Sequence, residues 1–147
     1  MHRVFIDSDI ILDLLAQREE FYPPAAKLFT LLDKGDVLGF TSPIVFANLH
    51  YVLRKMRSKE YALKSLRKLK TLISILPVDD KIIGLALDSN FSDFEDSIQY
   101  HTAKSYEINF IITRNKKHYK QSKISVCTAE EYLKIWKSET NGSAKNK

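Results

Sequence analysis

The sequence predicts an α/β fold, a three-layer sandwich in which a central parallel sheet of about four to five strands is flanked on both faces by helices. Three observations carry that expectation. Short apolar runs such as Val4-Phe5-Ile6 and Phe110-Ile111-Ile112 stop abruptly at polar residues, as buried strands do. Stretches with helical apolar spacing lie between them, and strands alternating with helices favour parallel pairing. The 147 residues, 44% apolar and 28% charged, suit one domain that buries about two-thirds of its unfolded surface. That domain is expected over residues 1–138, with a polar, frayed tail over 139–147.

In chain order, Arg3 to Ile6 reads as a buried strand ending at Asp7. Asp9 can cap the helix that follows, in which Ile10, Ile11, Leu14 and Leu15 recur at helical spacing. Pro23 and Pro24 stand where a second helix opens, and Gly35 where it stops. Val37 to Thr41 is the second strand. Ser42-Pro43 opens a helix with Val45, Phe46, Leu49, Val52 and Leu53 inward. Ser58 to about Ser74 keeps Leu63, Leu66, Leu69, Leu72 and Ile73 in helical register. Ile75 to Val78 is a short strand or an extended connector, since Pro77 argues against a central strand. Asp79 or Asp80 caps a further helix, and Asp93 to about Tyr106 forms another. Asn109 to Ile112 and Ile124 to Cys127 are the last strands, and Thr128 with Glu131 forms a capping box for the terminal helix.

Composition narrows the function. The chain opens on a strand-like run without a charged-then-apolar signal segment, and no apolar stretch approaches the length of a membrane span. A cytoplasmic location without membrane association is expected. The single cysteine, Cys127, excludes an internal disulfide or a thiolate cluster and reads as a small buried hydrophobe. A net charge of +5 favours a polyanionic partner. Eight basic residues between Arg54 and Lys70 face one acid, Glu60, a pattern that suits a solvated helix face or a phosphate-binding surface. A second basic group, Arg114, Lys116, Lys117, His118, Lys120 and Lys123, follows a strand end, where open sheets of this type bind ligands.

The acids are the most specific feature. Asp7 and Asp9 follow the first strand, and Asp93 and Asp96 share one face at a helix start. Two carboxylates about 4 Å apart repel by roughly 4 kcal/mol at an effective dielectric of about 20, so their convergence calls for a cation. A divalent metal is the usual one. Alternatively, Asp93 is an N-cap, with Glu95 and Asp96 favoured in the first turn.

Three segments together, Val4 to Asp13, Asp93 to Gln99, and Ile111 to Asn115, resemble the PIN domain, the nuclease fold of VapC-type toxins in bacterial toxin-antitoxin pairs. The resemblance extends to about residue 136. It implies a Mg²⁺- or Mn²⁺-dependent endoribonuclease with Asp7, Asp93 and Asp96 as catalytic and metal-binding acids. Ser8, Asn48, Thr113, Arg114, Asn115, Lys116 and Lys117 would bind substrate. RNA, a cognate antitoxin and a second copy of the chain are the implied partners. Two positions depart from the family pattern: the second acid falls at or beside Asn48, and the fourth at Asn115 or His118. The expected activity is therefore weak, and a non-catalytic nucleic-acid- or partner-binding module with a degraded metal site is the alternative. A phosphatase of the haloacid dehalogenase type would also start with Asp-x-Asp, but its later acids should follow the Thr113 strand, whereas Asp93 and Asp96 precede it.

Overall fold

The computed structural model describes residues 1–145. Five strands form one fully parallel sheet: β1 (Arg3–Ile6), β2 (Leu38–Thr41), β3 (Ser74–Ile75), β4 (Phe110–Ile112) and β5 (Ser125–Cys127). Their spatial order is β3-β2-β1-β4-β5, so β1 is central, with Phe5 beside Phe40 on one side and Ile111 on the other. Val4, Phe5, Ile6, Ile111 and Ile112 are wholly buried, which is why these strands read as unbroken apolar runs.

Seven α-helices fill the connections: α1 (Ser8–Leu15), α2 (Tyr22–Asp33), α3 (Pro43–Met56), α4 (Lys59–Lys70), α5 (Asp80–Leu87), α6 (Phe94–Ser105) and α7 (Ala129–Lys145). A 3₁₀ helix, Lys116–Tyr119, follows β4. The chain steps from β1 through β2 to β3, then crosses back over β1 to reach β4 and β5. With right-handed crossovers, α1 to α4 cover one face and α5 with α6 the other, while α7 packs against α2. Strand order reverses between β1 and β4, and the crevice beyond their carboxyl ends is the natural ligand position in such a sheet.

Local signals account for most boundaries. Ser42 and Ser58 cap α3 and α4 through their hydroxyls. Gly35, at φ +76°, ends α2 in the left-handed conformation that glycine adopts without penalty. Both halves of the capping box form: Thr128 Oγ1 accepts from Glu131 N, and Glu131 Oε1 accepts from Thr128 N. Cys127 is buried, which pushes its thiol up to about 12 and leaves it inert.

Two expectations need correction. Asp7, not Asp9, is the N-cap of α1: its backbone is extended and its side chain accepts from Ser8 N, while Asp9 already lies within the first turn. The stretch expected as a frayed tail from residue 139 continues α7 as far as Lys145, because a helix already nucleated and packed through Tyr132 and Trp136 propagates at little cost per residue. Residues 146 and 147 of that tail lie outside the described residues. Among the described residues no helix is long and apolar enough to cross a membrane.

Candidate active site

The crevice at the β1/β4 switch point is built from three loops. The β1–α1 turn supplies Asp7, Ser8 and Asp9, the start of α6 supplies Glu95 and Asp96, and the segment after β4 supplies Thr113 to Tyr119. Asp7 is 6% exposed, an unusual burial for a carboxylate. Ser8 N donates to its Oδ1 at 2.8 Å, and Thr113 Oγ1 donates to its Oδ2 at 3.0 Å.

One hydroxyl joins the two main acids. Tyr119 OH lies 3.2 Å from Asp7 Oδ2 and 3.3 Å from Asp96 Oδ1, so the carboxylates are within two hydrogen-bond lengths of each other. A phenol carries one proton and can donate to only one of them at a time. Burial, then repulsion from Asp9 and more weakly from Asp96, pushes the Asp7 carboxyl up to about 7. Burial and the neighbouring Asp93 likewise raise Asp96, partly offset by His118, whose Nδ1 is 2.9 Å from Asp96 Oδ2. Burial between the acids also raises the Tyr119 phenol, which stays a donor.

Asp93 is the N-cap of α6. Its Oδ1 accepts from Asp96 N at 2.9 Å, its side chain is exposed, and its charge acts on Asp96 rather than directly on Asp7. Asn48, half-buried on α3, donates from Nδ2 to Glu95 Oε2 at 3.0 Å. A carboxylate from α6 thus stands beside the position where the expected acid is an amide.

The basic residues divide. Arg114 does not reach into the crevice for phosphate, as the sequence suggested. Its guanidinium grips Asp13 with two bonds of 2.8 and 2.9 Å and stacks 3.9 Å over the Phe21 ring. Asp13 is 1% exposed, so an unpaired charge there would be costly, and the arginine is committed to it. The Arg114 backbone N–H donates to Asp9 Oδ2 at 2.8 Å, tying the β1–α1 turn to the loop after β4. Lys116 pairs with Glu131, whereas Lys117 and Asn115 are exposed at the crevice rim.

Sequence reasoning missed Tyr119 and Glu95. Tyr119 could have been noticed as the one aromatic within Lys116-Lys117-His118-Tyr119-Lys120, a stretch otherwise suited to solvent. Glu95 had no distinguishing signal, because an acid in a first helical turn is favoured by the helix dipole alone.

The donors at the crevice centre are oxygens, which suit a hard divalent cation such as Mg²⁺ or Mn²⁺. Two converging carboxylates with upward-shifted pKa values are what a cation would relieve. Among the described residues no three His, Cys, Asp or Glu side chains are arranged to hold a metal together. The fit is therefore to an ion held by Asp7 and Asp96 that keeps several of its waters, the usual habit of Mg²⁺.

Comparison with known proteins extends this picture. The PIN domain family profile matches residues 3–117. The chain is 30% identical over 141 residues to Ribonuclease VapC1 of Aquifex aeolicus (strain VF5), covering 91% of this chain and 95% of that protein. The fold is similar to VapBC-1 from nontypeable Haemophilus influenzae, with a TM-score of 0.66 at 17% identity over 87% of this chain and 98% of the other. It is also similar to VapC20 of Mycobacterium tuberculosis, a Sarcin-Ricin loop cleaving toxin, with a TM-score of 0.59 at 16% identity over 74% and 86% of the two chains.

Proposed function

This chain belongs to the PIN domain family, in its VapC-type ribonuclease toxin branch, and from that premise we propose that it is a weak, divalent-metal-dependent endoribonuclease. The observation that carries the reading is the meeting of Asp7 and Asp96 on the Tyr119 hydroxyl inside the switch-point crevice. When bound, Mg²⁺ or Mn²⁺ would activate water and neutralise charge developing on the scissile phosphate.

The chain's own residues do the rest. Asp7 and Asp96 hold the ion, with Asp93 adding negative charge beside Asp96. Ser8 N and Thr113 Oγ1 orient Asp7, and His118 orients Asp96. Asn48 fixes Glu95 at the edge of the acidic cluster. Lys117 and Asn115 face solvent at the rim, where RNA would lie, while Arg114 braces the loop and Lys116 reaches the rim only by leaving Glu131.

An antitoxin protein is the proposed regulatory partner, on the likeness to the VapBC-1 assembly. A second copy of the chain is the other. Exposed Leu85 and Leu87 on α5 and Phe94 at the start of α6 offer apolar surface for such pairing. The cytoplasm is the expected location, since the proposed substrate is there.

The competing reading is a binding module without catalysis, favoured by the neutral Asn48 and by Asn115 or His118 where acids are expected. Cleavage of a labelled mixed-sequence RNA, with millimolar Mn²⁺ or Mg²⁺ and then with chelator, separates the two. Cleavage is expected only with metal, and Asp7→Asn should abolish it while leaving the fold intact. Equal rates in parent and variant would assign the activity to another site or a contaminant and leave the binding module standing.

A further inference from the structure

The stretch from Arg54 to Lys70, in the hairpin where α3 turns into α4, takes no part in the crevice chemistry, yet it holds the strongest concentration of positive charge in the chain. Arg54, Lys55, Arg57, Lys59, Lys64, Arg67, Lys68 and Lys70 are all exposed. The ion pairs among the described residues involve none of these eight. Glu60 is the only acid between Arg54 and Lys70. A merely solvated helix would gain from opposite charges at four-residue spacing, and this one carries almost none.

The hairpin also has a shaped surface. A concavity of about 430 Å³ opens where α3 turns into α4, lined by Arg57, Ser58, Tyr61, Lys64, Ser65 and Lys68. Three cations and the hydroxyls of Ser58 and Ser65 converge there without a carboxylate, while the Tyr61 hydroxyl donates to Leu15 O. Arg57 Cζ lies 4.7 Å over the Tyr61 ring, and Lys55 Nζ lies 4.5 Å over the exposed Tyr51 ring. Guanidinium and ammonium groups interleaved with aromatic faces and hydroxyl donors suit a phosphate backbone with unstacked bases.

We infer that this concavity is a second RNA-binding site, which seats backbone phosphates of a single-stranded RNA whose cleavage point lies in the crevice. The inference rests on the ribonuclease reading above and adds to it a place where substrate is held away from the chemistry. Asn48 on α3 and Arg57, the C-cap of that helix, are nine residues apart, about 14 Å at the helical rise per residue. A single strand of only a few nucleotides spans that distance, so one short RNA can reach both.

The test measures anisotropy of a fluorescein-labelled 20-nucleotide single-stranded RNA of mixed sequence over a range of NaCl concentrations, in chelator so that nothing is cut. A variant carrying Arg57→Gln, Lys64→Gln and Lys68→Gln is compared with the parent and with a control carrying Lys27→Gln, Lys134→Gln and Lys137→Gln. Loss of three phosphate contacts should lower the slope of log K against log salt by about 2 and weaken binding at least tenfold at low salt. The control should match the parent. Unchanged slope and affinity in the hairpin variant would overturn the inference. So would retained RNA binding combined with lost binding of a poly-glutamate peptide, which would assign the surface to an acidic protein partner. Cleavage of the same RNA by the parent in Mn²⁺ is read separately. Cleavage with an unaffected salt slope refutes the hairpin site alone, whereas a parent that neither binds nor cuts RNA refutes both readings.

Discussion

At the scale of single residues, Asp7 makes the clearest prediction. Its carboxyl ionises at 3.8 ordinarily and at about 7 in the fold, so the folded state retains a proton that the unfolded chain releases. The resulting stabilisation is complete below about pH 4 and disappears as pH rises through 7. It amounts to about 4 kcal/mol at most. Urea unfolding in chelator should therefore show the protein less stable at pH 8 than at pH 5. Asp7→Asn should lessen that difference without erasing it, because Asp9 and Asp96 are shifted the same way. An unchanged pH dependence in the variant would show that Asp7 does not titrate in this window. Asp7 and Asp96 could be found in the sequence because a strand end and a helix start are local signals. Tyr119 and Glu95 could not, because their roles depend on which side chains meet across 112 and 47 positions of chain.

At the scale of elements, the link between the β1–α1 turn and the loop after β4 decides whether the acids face each other. Arg114 supplies that link through its fork on Asp13 and its backbone bond to Asp9. Arg114→Lys keeps the charge and loses the bidentate geometry, so it should destabilise the fold by about 2 kcal/mol. RNA affinity in chelator should change far less than in Lys117→Gln. An Arg114→Lys variant of parental stability but with much weaker RNA binding would contradict this assignment. The strands were legible where buried on both faces. The uncertain one, β3, proved to be a two-residue edge strand ending before Pro77, where a missing donor does no harm. The extent of α7 was misread because Asn141-Gly142-Ser143 has a tail-like composition, while helix propagation depends on the packed turns before it.

For the whole molecule, ligand and fold are coupled. A cation that binds the folded crevice and not the unfolded chain stabilises by RT ln(1 + [L]/Kd), about 2.7 kcal/mol when the ion is at a hundred times its Kd. For a domain of this length that is on the order of 5–10 °C in melting temperature. Calorimetry should show this rise with Mn²⁺ at pH 7.5 in the parent and little or none in Asp7→Asn. An equal rise in both would place the ion elsewhere.

The position of β1 in the sheet also dictates when the molecule becomes competent during synthesis. β1 is made before the other strands of the sheet, yet Ile6 pairs with Ile112, so one side of the central strand has no partner until β4 has been made. Contacts of such sequence separation form slowly and leave apolar strand edges open in the interval. Asp7 is therefore made well before Asp96, Thr113 and Tyr119 can gather around it. A nascent chain has no assembled crevice until the stretch through Tyr119 has been made and has folded into place.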